Sequence, residues 1–466
     1  MKRIAIIGGG ISGLSAAFAL ERHRRNGVAL EYSVFESSPR LGGVLLTEHV
    51  DGCLVEGGPD SFLTEKPWAA DLCREIGLGD QLIGSNDRER KTYILVKGRL
   101  VSIPDGLMFM VPTKILPVIW SPLFSTGTKI RMMREWFHAP KKAAVDESVA
   151  SFVERHYGPE MVDRLADPLL SGVYGGQASQ LSLRAVLPRF GEMEARHGSL
   201  GRAMLAARRN APKPGAAKPL FTSLKDGMQQ MVDAVLSHLP PSTFRANTTV
   251  EAIQRQDSGW VVSAGYASDL FDAVIVSTSA QAAARLGLPQ NLSTALGGIE
   301  YTSSVTITLA YDRAVRQSLP PGFGFLVPRS EGTRLLAATF VHNKFPHRAP
   351  QDRALIRCFL GSARNQTILD QSDDDLLRLV RQELRHILKL TAEPLFTRVY
   401  KWKDAMAQYN VGHIERIYSI EQACRELPGL ALAGNAYHGI GVPDCVRSGM
   451  DAASAVLQTL GLLEPE

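Results

Sequence analysis

Gly8-Gly9-Gly10-Ile11-Ser12-Gly13 is the stretch on which the fold turns. It follows residues 3–7, a β-branched apolar run that reads as a buried strand, and opens residues 14–25, rich in Ala and Leu, which read as a helix. Residues 31–36 form a second strand ending in an acid, Glu36. In Gly8-x-Gly10-x-x-Gly13 the first glycine permits a tight turn and the second lets backbone approach a pyrophosphate. The third lets helix and strand pack closely. The helix start offers free N–H groups and a positive dipole end to an anion. Glu36 stands 23 residues beyond Gly13, where a carboxylate accepts from ribose hydroxyls. Strand, helix and acid in these places predict a bound adenine dinucleotide.

Outward from that start, residues 149–157, 159–165, 229–239 and 373–388 read as helices, and 261–264, 273–277, 305–311 and 355–361 as strands. Residues 208–219, rich in Pro, Ala and Arg, read as an exposed loop. The 466 residues suit two to four domains and carry no internal repeat. A net charge of +5 is too small an excess to indicate nucleic acid, though it suits an anionic substrate or a membrane surface. The cysteines Cys53, Cys73, Cys358, Cys424 and Cys445 are scattered and never form CxxC, which argues against a disulfide scaffold or zinc site and for a reducing cytosol. Met1-Lys2-Arg3 precedes only four apolar residues, too few for a secretory signal, so the mature chain is expected to begin here. Residues 107–124 are apolar except for Thr113, Lys114 and Ser121, but Pro112, Pro117 and Pro122 interrupt them. That excludes a continuous spanning helix. What is left is a buried substrate-domain segment or a greasy surface for a bilayer or an apolar substrate.

A second glycine-rich stretch follows the acid: Ser37-Ser38-Pro39-Arg40-Leu41-Gly42-Gly43, and then Glu56-Gly57-Gly58-Pro59-Asp60. A nicotinamide site has no use for another such turn here, whereas a longer, wider flavin dinucleotide is met by backbone at several points. With these motifs the chain resembles the FAD-dependent amine-oxidase-like flavoproteins, among them amine oxidases, carotenoid desaturases and protoporphyrinogen oxidases. Three further segments look like the protoporphyrinogen/coproporphyrinogen oxidase branch. They are Asp167-Pro168-Leu169-Leu170-Ser171-Gly172-Val173-Tyr174-Gly175-Gly176 with Leu181-Ser182, the turn Leu224-Lys225-Asp226-Gly227-Met228-Gln229, and Gly439-Ile440-Gly441-Val442-Pro443-Asp444-Cys445. The matches run from residue 4 to about residue 455.

The resemblance implies an α/β fold in which a Rossmann-type FAD-binding domain (1–88, 221–285, 401–466) is interleaved with an α+β substrate domain (89–106, 286–400) and a mainly helical insertion (107–220). It implies that FAD is held by Gly8, Gly10, Ser12, Gly13, Glu36, Ser37, Gly42, Gly43, Gly58 and Pro59. Val250 would lie beside the adenine, Trp402 near the ring, and Gly434, Ile440, Gly441 and Val442 at the isoalloxazine. A helix starting at Val442 with Pro443 in its first position would favour negative charge on the flavin. The implied reaction is the six-electron oxidation of coproporphyrinogen III to coproporphyrin III by O2 with H2O2 release. The alternatives are protoporphyrinogen IX oxidation, an amine oxidase or carotenoid desaturase on the same scaffold, and a non-catalytic tetrapyrrole carrier.

Because the cofactor carries such chemistry, no catalytic base is assigned; no Ser-His-Asp set, HExxH or paired-carboxylate motif is visible, and no metal is expected. Lys66 is the expected anchor for substrate propionates, ahead of Lys91 and Lys97. Gly172 and Gly175 are expected to line the substrate pocket. A cytoplasmic protein with peripheral membrane contact and product hand-off to a ferrochelatase completes the expectation.

Overall fold

The apolar run at the N-terminus, covered on both faces, forms the middle of a five-stranded parallel sheet. Its order is Phe244–Arg245, Leu30–Phe35, Lys2–Ile7, Ala273–Val276, Leu430–Leu432, with Ile4 beside Tyr32 and Ala273. The computed structural model describes residues 1–108, 110–141, 145–210, 218–361 and 366–464. The chain forms two compact units: Met1–Ser85 with Pro219–Glu300 and Glu415–Glu466, and Asn86–Lys218 with Tyr301–Ile414.

In the first unit the helices Ile11–Arg25 and Val442–Thr459 pack against each other and the sheet. Gly449 permits that approach, because a Cβ there would lie 2.0 Å from the Ser12 carbonyl oxygen. The hairpin Thr47–Val50/Cys53–Glu56 and an antiparallel sheet of Ala252–Gln256, Gly259–Ala264 and Ala267–Phe271 complete much of the rest.

The second unit is built on a seven-stranded mixed sheet whose longest strands are Tyr301–Asp312 and Phe396–Ala407. Helix Asp373–Leu388 packs on it through Leu376, Val380, Leu384 and Ile387, and Ser372 caps that helix at Asp375 N–H (3.2 Å). The same unit holds helices Thr126–Glu135, Val149–Tyr157, Pro188–His197 and Leu200–Asn210. Three of them meet at buried His156, set between Glu135 (3.4 Å) and Glu194 (3.2 Å). Glu135 also accepts from the Ser199 hydroxyl (2.8 Å) and from Leu200 N–H, holding the start of the following helix.

Three sequence expectations change in detail. Residues 159–165 are not one α-helix: a turn at Pro159–Met161 widens into π-helix over Val162–Ala166 before Asp167–Tyr174. Pro168 explains this, since it has no N–H to return to Arg164 and its ring crowds that carbonyl. The loop expected at 208–219 begins late, because helix Leu200–Asn210 runs into it; residues 211–217 lie outside the described residues. The apolar segment 107–124 divides. Val111, Val118, Leu123 and Phe124 are buried, while Met108, Leu116, Ile119 and Trp120 are exposed.

Candidate cofactor site

The carboxyl ends of the parallel strands gather the glycine turns in the first unit, the edge at which open α/β sheets take their ligands. Gly8 has φ +109°, a conformation open to glycine, and its N–H donates to the Phe35 carbonyl at 2.8 Å. Gly13 stands against it: a Cβ there would lie 2.0 Å from the Gly8 oxygen and 2.6 Å from Ser277 Oγ. The Ser277 hydroxyl lies 3.0 Å from the Ile7 carbonyl oxygen and 2.9 Å from that of Gly8, fixing the turn from the neighbouring strand. Gly10 is different. Its backbone is ordinary (φ −71°, ψ 177°), and a Cβ there would meet nothing within 4 Å. Among the described residues no side chain caps the helix that Gly10 precedes. Open space before free first-turn N–H groups, Ser12 and Gly13 among them, fits a pyrophosphate.

Glu36 ends the adjacent strand. One carboxylate oxygen accepts from Gly9 N–H at 2.7 Å; the other accepts from Ser38 N–H at 2.8 Å and lies 3.3 Å from the Ser37 hydroxyl. These bonds hold the carboxylate at the mouth of the glycine turn and leave acceptor capacity for a ribose hydroxyl. Thr248 N–H donates to the Glu36 carbonyl at 2.8 Å, bringing the segment that carries half-buried Val250 to this end of the sheet.

The second glycine stretch closes on the first. Gly42 N–H donates to the Gly9 carbonyl at 2.7 Å, and a Cβ on Gly43 (φ +59°) would stand 3.2 Å from Gly10 Cα. Arg40 ties the turn together through the carbonyls of Leu45 (2.7 Å) and Gly43. Gly58 is the tightest position, since a Cβ would fall 1.7 Å from the Val44 oxygen; half-buried Pro59 follows it. Buried Glu56 accepts from Met228 N–H (2.9 Å) and the Thr47 hydroxyl (2.7 Å), so the Leu224–Gln229 turn locks to the same stretch.

At the far strand Gly434 (φ +133°) donates its N–H to Ser448 Oγ at 3.1 Å. Ile440 and Gly441 then lead into the last helix, which begins at Val442, making Pro443 its second residue rather than its first. Neither position sacrifices a hydrogen bond, because the first four N–H groups of a helix have no partner within it. Lys66 needs correction. Its ammonium lies 2.8 and 2.6 Å from the two carboxylate oxygens of Asp444, the third residue of this helix, and is not left free for a propionate. Buried Asp444 thus shares two charge-assisted hydrogen bonds with the ammonium. Cys445 beside it is a neutral thiol, pushed up to about 12 by burial.

The remaining expected residues belong to the second unit. Trp402, half-buried, lies on Phe396–Ala407 opposite Ser304. Gly172 lies within helix Asp167–Tyr174, where a Cβ would meet nothing within 4 Å. Gly175 (φ +63°) ends that helix, and a Cβ there would press on Thr302 Oγ1 (2.7 Å) and Met406 Sδ (2.9 Å). Gln408 Nε2 clamps this turn by donating to the Tyr174 carbonyl (2.7 Å) and Thr302 (3.0 Å). Lys91 and Lys97 are exposed. Sequence reading missed Ser277, Gln408 and the partner of Lys66. Of these only Asp444 left a signal, an acid in the first turn of a readable helix.

The family model for flavin containing amine oxidoreductases matches residues 11–457. The chain belongs to that family. A dinucleotide turn in a flavin-containing family means FAD, so this oxidoreductase is an FAD enzyme. The oxidoreductase is 33% identical, over 98% of both chains, to coproporphyrinogen III oxidase of Bacillus subtilis (strain 168). It is 29% identical to mitochondrial protoporphyrinogen oxidase of Nicotiana tabacum, over 98% of this chain and 95% of that one. A crystal structure from Exiguobacterium sp. 255-15, provisionally named protoporphyrinogen oxidase, matches with a TM-score of 0.89 and 30% identity over 99% of both chains. Cyclohexylamine oxidase from Brevibacterium oxydans shares the fold, with a TM-score of 0.69 at 16% identity over 99% of each chain.

Proposed function

We propose that this flavoenzyme oxidises coproporphyrinogen III to coproporphyrin III, with O2 as the electron acceptor and H2O2 as the second product. The observation that carries the reading is full-length likeness, at 33% identity, to the Bacillus subtilis coproporphyrinogen III oxidase. When bound, FAD supplies the two-electron redox chemistry, and the chain binds and orients it. The Gly8–Gly13 turn takes the pyrophosphate, Glu36 and Ser37 the ribose, and Gly42, Gly43, Gly58 and Pro59 line the middle of the cofactor. Gly434 and Ile440–Val442 meet the ring end. In the second unit Gly172 and Gly175 are the proposed porphyrinogen contacts, on the rigid turn held by Gln408. Protoporphyrinogen IX is the second reading, favoured by the Nicotiana tabacum likeness at 29% identity. Turnover of the two porphyrinogens side by side, followed by porphyrin fluorescence, tests the choice. Faster oxidation of coproporphyrinogen III supports the first reading; preference for protoporphyrinogen IX overturns it.

The enzyme also rests on membranes from one side. No helix among the described residues is long and apolar enough to cross a bilayer. Leu116, Trp120 and Phe137 are nevertheless 70%, 83% and 87% exposed. Lys114, Arg131 and Arg134 stand exposed in the same stretch. Exposed aromatic and aliphatic side chains among cations are the composition of a surface that dips into an anionic bilayer. A cytoplasmic enzyme docked this way passes its porphyrin product to a metal-inserting ferrochelatase.

A further inference from the structure

We infer that Lys66 and Asp444 form a charge-balancing pair that sets the redox potential of the bound flavin. The inference rests on the reading that the Gly434–Val442 turn meets the flavin ring.

The last helix ties that turn down at several points. Asp444 Oδ2 accepts from Gly441 N–H at 3.2 Å, and its carboxylate occupies the space beside Gly439 (φ +136°), where a Cβ would lie 2.3 Å from Asp444 Cγ. One turn further on, Arg447 donates to the His438 carbonyl at 3.2 Å and lays its guanidinium 4.1 Å over the Trp68 ring. Ser448 takes the Gly434 N–H. Lys66 and Trp68 therefore brace the same helix start from one short segment, by charge and by cation–π contact.

The electrostatic consequence follows from burial. Asp444 is 3% exposed and sits in the first turn, where its negative charge opposes the positive end of the helix dipole. Unbalanced, that carboxylate would face the flavin as a net negative charge and make electron uptake harder. Lys66, with a side chain 39% exposed, cancels it at 2.6 Å and leaves the N–H groups and the dipole to act on the ring. Asp444 thus shapes the turn through its hydrogen bond, while Lys66 removes the electrostatic penalty of placing a carboxylate there. Lys66 is a positioning and field-setting residue on this reading, not a substrate anchor.

The test is the two-electron midpoint potential of the FAD-loaded protein, measured against reference dyes. Lys66→Met leaves a net negative charge and is expected to shift the reduction equilibrium about tenfold against the reduced form, ~30 mV more negative. Asp444→Asn leaves a net positive charge and shifts it the other way. The double variant Lys66→Met/Asp444→Asn restores balance and returns toward the wild-type potential, and Lys66→Arg holds it. A merely structural role predicts shifts of one sign that accumulate in the double variant, and that pattern overturns the proposal, as do unmoved potentials. Ile440→Trp separates this failure from that of the reading beneath it. An indole beside the ring shortens the flavin fluorescence lifetime whatever the charges do. Shortening without opposite-sign potential shifts refutes the charge pair; no shortening refutes the placement of the ring at the turn.

Discussion

Gly10→Ala separates the two jobs of the opening turn. Gly10 has φ −71° and ψ 177°, which alanine adopts without strain, and its Cβ would meet no protein atom within 4 Å. The substitution should therefore leave the stability of the cofactor-free protein within about 0.5 kcal/mol of wild type. The same methyl enters the space kept for the pyrophosphate. Crowding of that kind costs about 1–3 kcal/mol, which is about 5- to 150-fold in the FAD dissociation constant. Gly13→Ala should behave oppositely. Its Cβ would stand 2.0 Å from the Gly8 oxygen and 2.6 Å from Ser277 Oγ, both held by further hydrogen bonds, so strand and helix must separate. The folded state then loses about 1–3 kcal/mol before any FAD is added, about 1–3 °C in melting temperature for a chain of 466 residues. The assay is a pair of measurements on each variant: thermal denaturation of the stripped protein and FAD titration by flavin fluorescence. Gly10→Ala binding FAD as tightly as wild type, or melting as early as Gly13→Ala, would refute the reasoning.

Three further outcomes are expected. Burial works against ionisation of Glu135 and Glu194, yet hydrogen bonds from His156, Ser199 and Leu200 to the first, and from Arg155 to the second, hold both below the usual carboxylate range. Depressed carboxyls stabilise the fold above their unfolded values and lose that contribution as pH falls through the folded ones, so melting temperature should drop below about pH 4. Glu135→Gln should flatten part of that fall; a protein that gains stability on acidification contradicts the cluster's role. Replacing Trp120 and Phe137 together by Ser should weaken sedimentation with anionic vesicles at unchanged melting temperature, and unaltered sedimentation would exclude this surface as the membrane contact. Gly175→Ala places a side chain at φ +63° against Thr302 and Met406. Porphyrinogen turnover should fall while FAD content stays whole, and full turnover would remove the Gly175 turn from the substrate side.

The opening βαβ unit was legible because its signals are local: an apolar strand, glycines at fixed spacing and an acid at the next strand end. Helix Asp373–Leu388 was legible in full for a similar reason, since its cap, acidic first turn and apolar period all lie within the element. What stayed hidden was set by residues distant in sequence. Ser277 bonds Gly8 from 269 positions away, and Lys66 finds Asp444 across 378. No spacing rule reaches that far, so Lys66 read as a free cation beside a glycine turn. The Pro168 π-turn was missed for another reason: proline signals a break, but whether the chain kinks or widens depends on the packing of helix Asp167–Tyr174.

Anaerobic titration tests the central claim most directly. FAD-loaded protein mixed with coproporphyrinogen III in the absence of O2 should lose its yellow absorbance and form coproporphyrin, with one porphyrin appearing for every three flavins bleached. A flavin that stays oxidised with coproporphyrinogen III but bleaches with a primary amine would contradict it.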